Sequence, residues 1–135
     1  MKKKYSCLSC NAQIRIGDTI ILAVKGPQGE RGLLLLSPEI GDYAKTTHPD
    51  FKMKKGQSYK IYCPACHATL NDPEKENLVK IGMEDDGVQY DFYFSNIVGE
   101  EVTYRINEHK VETFGFHKER YKKYFDLPEE YKKYL

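Results

Sequence analysis

Three observations predict a mainly β fold with little helix. Short runs rich in Val, Ile, Leu and Tyr are separated by clusters of Gly, Pro, Asn and Asp, the pattern of strands joined by turns. Residues 88–95 alternate with a period of two, placing Tyr90, Phe92 and Phe94 on one face and Asp91, Tyr93 and Ser95 on the other. Helical spacing enters only in the tail, where His117, Tyr121 and Tyr124 stand i, i+4, i+7. The chain has 135 residues, of which 40% are hydrophobic and 30% charged. That suits one globular domain, or two small lobes sharing a core, and excludes a disordered chain. The longest apolar run, Ile20 to Val24, is far short of the roughly 20 residues of a membrane span, so no membrane partner is expected.

The elements follow in order. Residues 14–16 and 19–24 read as strands, broken by the turn signal Gly17-Asp18. Gly26, Pro27, Gly29 and Gly32 mark a hairpin tip, and residues 33–36 return from it as a buried strand stopped by Pro38. Residues 39–56 lack periodicity and read as an irregular loop carrying Lys52, Lys54 and Lys55. Residues 57–62 alternate and form a strand into Cys63. Asp72 as N-cap with Pro73 at the first helical position supports one helical turn. Residues 78–83, 88–95, 102–106 and 111–116 form an antiparallel meander with short turns at 85–87, 98–101 and 107–110. Tyr90, Phe92, Phe94, Tyr104 and Phe114 are expected to fill its core. The tail is helical, and Asp126 and Glu129 at capping-box spacing start a second short helix. The organisation expected is a first lobe over 1–70, a connector at 71–77, the meander over 78–116 and the helical tail over 117–135.

Charge is segregated along the chain. Residues 1–66 carry 11 basic and 5 acidic side chains, net +6, whereas residues 67–110 carry 4 and 10, net −6. The formal total of +1 excludes a uniformly basic nucleic-acid binder but leaves a basic first lobe able to meet an anionic partner. Lys2, Lys3 and Lys4 are followed by no apolar stretch, so they do not read as a secretion signal and the expected compartment is the cytoplasm. There, thiols are reduced, and cysteines serve as metal ligands more readily than as disulfides.

All four cysteines form two C-x-x-C pairs, Cys7 with Cys10 and Cys63 with Cys66. Two intervening residues let both sulfurs of a pair approach one ion, and two pairs supply the four thiolates of a closed tetrahedral zinc site. The pattern resembles the zinc ribbons, in which two such knuckles face each other across one metal. That resemblance covers roughly residues 5–70 and implies an architecture with one structural Zn²⁺ on Cys7, Cys10, Cys63 and Cys66, and no activity. Iron takes the same ligand set. The spacing departs from compact zinc patterns, since 52 residues separate Cys10 from Cys63 against about 15–20. Residues 14–36 must therefore fold back as a hairpin so that the knuckles meet. Each knuckle is followed by a residue other than glycine, Asn11 and His67, where a left-handed backbone is expected; Asn tolerates it better than His.

Other chemistries compete for the same cysteines. Cys63-Pro64-Ala65-Cys66-His67 matches a haem-attachment motif, with His67 and then Met53 or Met83 as axial ligands. That assignment leaves Cys7 and Cys10 unexplained. Cys63 and Cys66 also match a dithiol redox motif, but such thiols usually open a helix, and here Asn71-Asp72-Pro73 follows closely. No G-x-S-x-G, H-E-x-x-H or P-loop pattern occurs, and Asp85-Asp86 and Glu100-Glu101 read as solvated turn residues. The function expected is a non-enzymatic zinc-stabilised binding module for nucleic acid or a nucleoprotein assembly, meeting it through Lys52, Lys54 and Lys55. The alternatives are a thiol redox protein using Cys63 and Cys66, or a protein-assembly module using the sheet and tail.

Overall fold

In residues 19–25 Ile20, Leu22 and Val24 are buried while Thr19, Ile21, Ala23 and Lys25 between them are not. That alternation makes the stretch a strand with one face in the core. The same logic extends through a computed structural model that describes residues 3–125. Ten strands run in chain order: β1 (Lys4–Ser6), β2 (Arg15–Ile16), β3 (Thr19–Lys25), β4 (Arg31–Leu36), β5 (Lys45–Thr47), β6 (Lys60–Tyr62), β7 (Leu78–Asp85), β8 (Val88–Ser95), β9 (Thr103–Ile106) and β10 (Val111–Phe114). A 3-10 helix, Lys118–Tyr124, follows. The described residues are 43% strand and 6% helix, so the fold is mainly β as the sequence predicts. Among them, no helix is long and apolar enough to cross a membrane.

Two antiparallel sheets share the core. One has the order β1-β7-β8-β9-β10; in the other β2-β3-β4-β5 are joined by β6, which pairs with β3. The opening strand β1 therefore joins the sheet of β7–β10, with Tyr5 opposite Met83. The strand that leads into the second knuckle goes the other way, with Ile61 opposite Val24.

This exchange is reciprocal because the chain is an internal repeat. Residues 4–14 and 60–70 align 56 positions apart, sharing Lys4/Lys60, Cys7/Cys63, Cys10/Cys66 and Ala12/Ala68. The hairpin β3–β4 corresponds to β7–β8, with β3 matching β7 at an offset of 59 and β4 matching β8 at 58. Arg15 pairs with Ile20 in one half and Asn71 with Val79 in the other. Ile21 donates its N–H to the Ile14 carbonyl, as Lys80 does to Leu70, both at 2.8 Å. The core is built from matched positions: Tyr5/Ile61, Cys7/Cys63, Ile14/Leu70, Ile20/Val79, Leu22/Ile81, Val24/Met83 and Leu34/Phe92 are all buried in one cluster. Burying each large aliphatic side chain here contributes about 1.5–3 kcal/mol.

Several expectations need correction. Residues 39–56 are not wholly irregular: β5 lies within them and pairs with β4. Asp72 caps a turn rather than a helix, its Oδ1 accepting the N–H groups of Glu74 at 2.8 Å and Lys75 at 3.0 Å. Phe114 is only half-buried, while Tyr93, on the face opposite Phe92, is buried in a second cluster with Leu78, Val102, Tyr104 and Tyr121. The expected helical stripe is a 3-10 turn, in which Tyr121 and Tyr124, three apart, stack with centroids 6.5 Å apart. The tail covers the outer face of the first sheet: Phe125 stacks on Tyr104 at 4.0 Å and meets Tyr93 edge-on at 5.0 Å. The second short helix expected from Asp126 and Glu129 lies outside the described residues.

Candidate metal centre

Each knuckle hangs between a short strand and its return. Ser6 bridges to Gln13 and Tyr62 to Thr69. Cys7 donates to the Ala12 carbonyl and Cys63 to that of Ala68, both at 3.0 Å. Asn11 and His67 donate back to the carbonyls of Cys7 and Cys63 at 2.8 and 2.9 Å. Closing so tight a turn requires a left-handed residue after the second cysteine, and Asn11 (φ 63°) and His67 (φ 65°) adopt it, as the sequence suggests.

The β-exchange brings both knuckles to one place. The Sγ atoms of Cys7 and Cys66 lie 3.8 Å apart, as do those of Cys10 and Cys63. All four Sγ atoms fall within 4.8 Å of one another. A tetrahedron with metal–thiolate bonds of about 2.3 Å has edges of about 3.8 Å, so the four sulfurs are positioned to bind a metal ion. A disulfide would need about 2.05 Å. One sulfur of each pair points to the core and one outward: Cys7 and Cys63 are 0% exposed, whereas Cys10 and Cys66 are exposed.

Backbone donors prepare the sulfurs for negative charge. Ser9 donates to the Cys7 sulfur and Ala65 to that of Cys63, both at 3.3 Å, with Cys66 N–H at 3.5 Å from the Cys63 sulfur. For Cys63, burial pushes the thiol up, but the amides of Cys66 and Ala65 with the neighbouring thiols outweigh it and bring the pKa down to about 7. For Cys10 the Ala12 amide lowers the pKa, but burial and the three other cysteines raise it to about 11. The surroundings thus favour the thiol at Cys10 and the thiolate at Cys63.

The haem reading does not fit this geometry, because Cys63 and Cys66 each face a sulfur of the other knuckle. Met83 is 1% exposed in the core. Lys52, Lys54 and Lys55 are all exposed, in the turn before β6. That turn is closed by Gln57 N–H to the Lys54 carbonyl at 3.0 Å and tied to Val98 through Gly56 N–H at 2.8 Å. No hydrogen bond or ion pair among the described residues joins these lysines to the cysteines.

The sequence reading missed two features. One is the repeat, legible afterwards in the shared Lys-x-x-Cys-x-x-Cys-x-Ala. The other is Glu100, expected in solvent but only 7% exposed. It accepts Ser95 Oγ at 2.5 Å, the Tyr121 hydroxyl, and Arg120 Nη1 at 2.7 Å. No protein-family model, curated protein or solved structure matches this chain.

Proposed function

We propose that the chain is a non-enzymatic binding module stabilised by one Zn²⁺ on Cys7, Cys10, Cys63 and Cys66, working in the cytoplasm on nucleic acid or a nucleoprotein assembly. The observation that carries the metal reading is the set of four sulfurs with cross-knuckle edges of 3.8 Å. Zinc is favoured over iron because the site joins two strand-exchanged halves, a holding role in which Zn²⁺ serves without redox chemistry. Two knuckles facing each other support the resemblance to zinc ribbons, and the strand exchange is where this fold departs from it. The excess of positive charge in residues 1–66 supports an anionic partner.

The redox reading of Cys63 and Cys66 draws less support. The turn that carries them leads into a bridge between Tyr62 and Thr69 rather than a helix, so no helix N-terminus activates a thiol. Metal content and the visible spectrum of freshly purified protein test the zinc reading. One zinc per chain without colour is expected, and iron with a visible band, or no metal and reactive thiols, overturns it. A salt-dependent mobility shift with an oligonucleotide tests the partner class.

A further inference from the structure

The two halves provide an internal control for one row of side chains. In the first sheet, the outward row across three strands is Lys4, Glu84 and Gln89. It is internally satisfied: Lys4 meets Glu84 at 3.9 Å, and Gln89 Nε2 donates to Glu84 Oε1 at 2.7 Å. The corresponding row of the other sheet is Lys60, Lys25 and Arg31, opposite one another on β6, β3 and β4. All three are cations, and none forms an ion pair among the described residues. Glu30, the neighbouring carboxylate, is turned into its own hairpin tip, where Oε1 accepts the Gln28 N–H at 3.2 Å. Like charges directly opposite on neighbouring strands oppose folding, so the row is a cost that an anionic ligand removes.

The rest of that face also differs from its counterpart. The tail covers the outer face of the first sheet with Tyr121 and Phe125, but here Leu33 is 54% and Ile16 67% exposed. Tyr62, next to the cationic row on β6, lines two adjoining clefts of about 330 and 920 Å³, in the range of ligand clefts of roughly 300–1,000 Å³. His67 and Arg31 line the smaller cleft. Gln57, Ser58 and Asn96 line the larger, and the buried Oδ1 of Asn96 has no hydrogen-bond partner among the described residues.

We propose that this face binds single-stranded RNA, with Lys25, Lys60 and Arg31 on successive phosphates, Tyr62 stacking on a base and the larger cleft taking a ribose. A cation track beside an aromatic ring is the combination that holds single strands. Ribose is chosen over deoxyribose because its 2′-hydroxyl can donate to and accept from the polar side chains of Gln57 and Ser58 that line the larger cleft. The inference rests on the nucleic-acid reading above, but moves the contact from Lys52, Lys54 and Lys55 to the sheet face.

Fluorescence anisotropy with a labelled oligouridine of about a dozen residues, on the zinc-loaded full chain, tests it. Binding should weaken with salt with a log–log slope of about −2, from roughly −0.7 per phosphate. Replacing Lys25, Arg31 and Lys60 together by Gln should weaken binding at least tenfold and flatten the slope. The melting temperature should be unchanged or higher, whereas a merely structural role would lower it. Tyr62→Leu should weaken binding about tenfold and keep the slope. Lys60→Glu, a single change at an exposed site, gives the same answer if the triple variant fails to fold. Equal affinity for oligothymidine, or displacement by an acidic peptide at matched charge, overturns the assignment. Loss of binding only on replacing Lys52, Lys54 and Lys55 by Gln overturns the face and keeps the nucleic-acid reading. No binding to any oligonucleotide at 50 mM salt overturns both.

Discussion

Asn11 and His67 occupy the same place in the two knuckles: each follows the second cysteine and takes a left-handed backbone, with φ of 63° and 65°. Each also donates its N–H to the carbonyl of the first cysteine. A residue with a Cβ in this region costs about 1–2 kcal/mol, and Asn is among those least penalised. His67 therefore carries more strain than Asn11. His67→Gly should stabilise the metal-loaded protein by about 0.5–1 kcal/mol after allowing for the greater freedom of glycine when unfolded, and Asn11→Gly should change it less. Denaturant titration of both variants checks the order; equal effects would show that the histidine side chain compensates its backbone.

Cys7 and Cys63 are members of the shared core as well as candidate ligands. Losing the metal should therefore loosen both sheets together rather than unfold one lobe. Cys63→Ser should abolish metal binding and lower stability by several kcal/mol, given about 10–16 kcal/mol of apparent zinc binding in small zinc peptides. Chelation of the wild type should give one cooperative transition seen alike by far-UV circular dichroism and by tyrosine fluorescence. Two separate transitions would mean that the meander holds its fold without the site.

Gly32 and Phe51 complement each other in space. A Cβ on Gly32 would lie 2.8 Å from the Phe51 ring, and Phe51, only 7% exposed, fills the position that Tyr90 takes in the other half. Phe51→Ala should cost about 3–4 kcal/mol. Gly32→Leu should be destabilising alone and better tolerated in the Phe51→Ala background, a coupling that a double-mutant cycle measures directly.

The strands with apolar alternation were legible in the sequence, because burial of one face imposes the period of two on residues such as Ile20, Leu22 and Val24. β5 was not, since Lys45-Thr46-Thr47 carries no apolar residue and is a strand only because β4 offers it an edge. The cysteine spacing announced the four-cysteine cluster, whereas the left-handed turn after each knuckle forms without the glycine that would have marked it, at Asn11 and His67. The repeat stayed hidden because Lys, Cys, Cys and Ala alone coincide over residues 4–14 and 60–70, while the core pairs swap one apolar residue for another. Its consequence, the strand exchange, depends on contacts between residues such as Tyr5 and Met83, far apart in the chain. The cationic row was invisible for the same reason: Lys25, Arg31 and Lys60 become neighbours only through register.

Glu100 was read as a solvated turn residue because nothing nearby in sequence marks its burial; Tyr121, the residue that covers it, lies 21 positions on. Burial raises the carboxyl pKa, but hydrogen bonds from Ser95, Tyr121 and Arg120 and the Arg120 charge outweigh this and hold it below 4.5. Burial, and after it the hydrogen bond to Glu100 and the Glu100 charge, push the Tyr121 hydroxyl up to about 12 against the opposing Ser95 and Arg120, so it remains a neutral donor. A depressed carboxyl contributes stability that is fully present above the unfolded pKa, about 4.5, and is lost as pH falls through the lower folded value. Acid should therefore release the tail from the first sheet. Glu100→Gln should cost about 2–3 kcal/mol near neutral pH and flatten the stability profile below about pH 5. Tyr121→Phe, which removes one donor and keeps the ring, should cost about 1 kcal/mol and retain the slope. Denaturant midpoints of the three proteins between about pH 3 and 7 check this; a wild-type profile parallel to that of Glu100→Gln would show that the carboxylate is not what titrates.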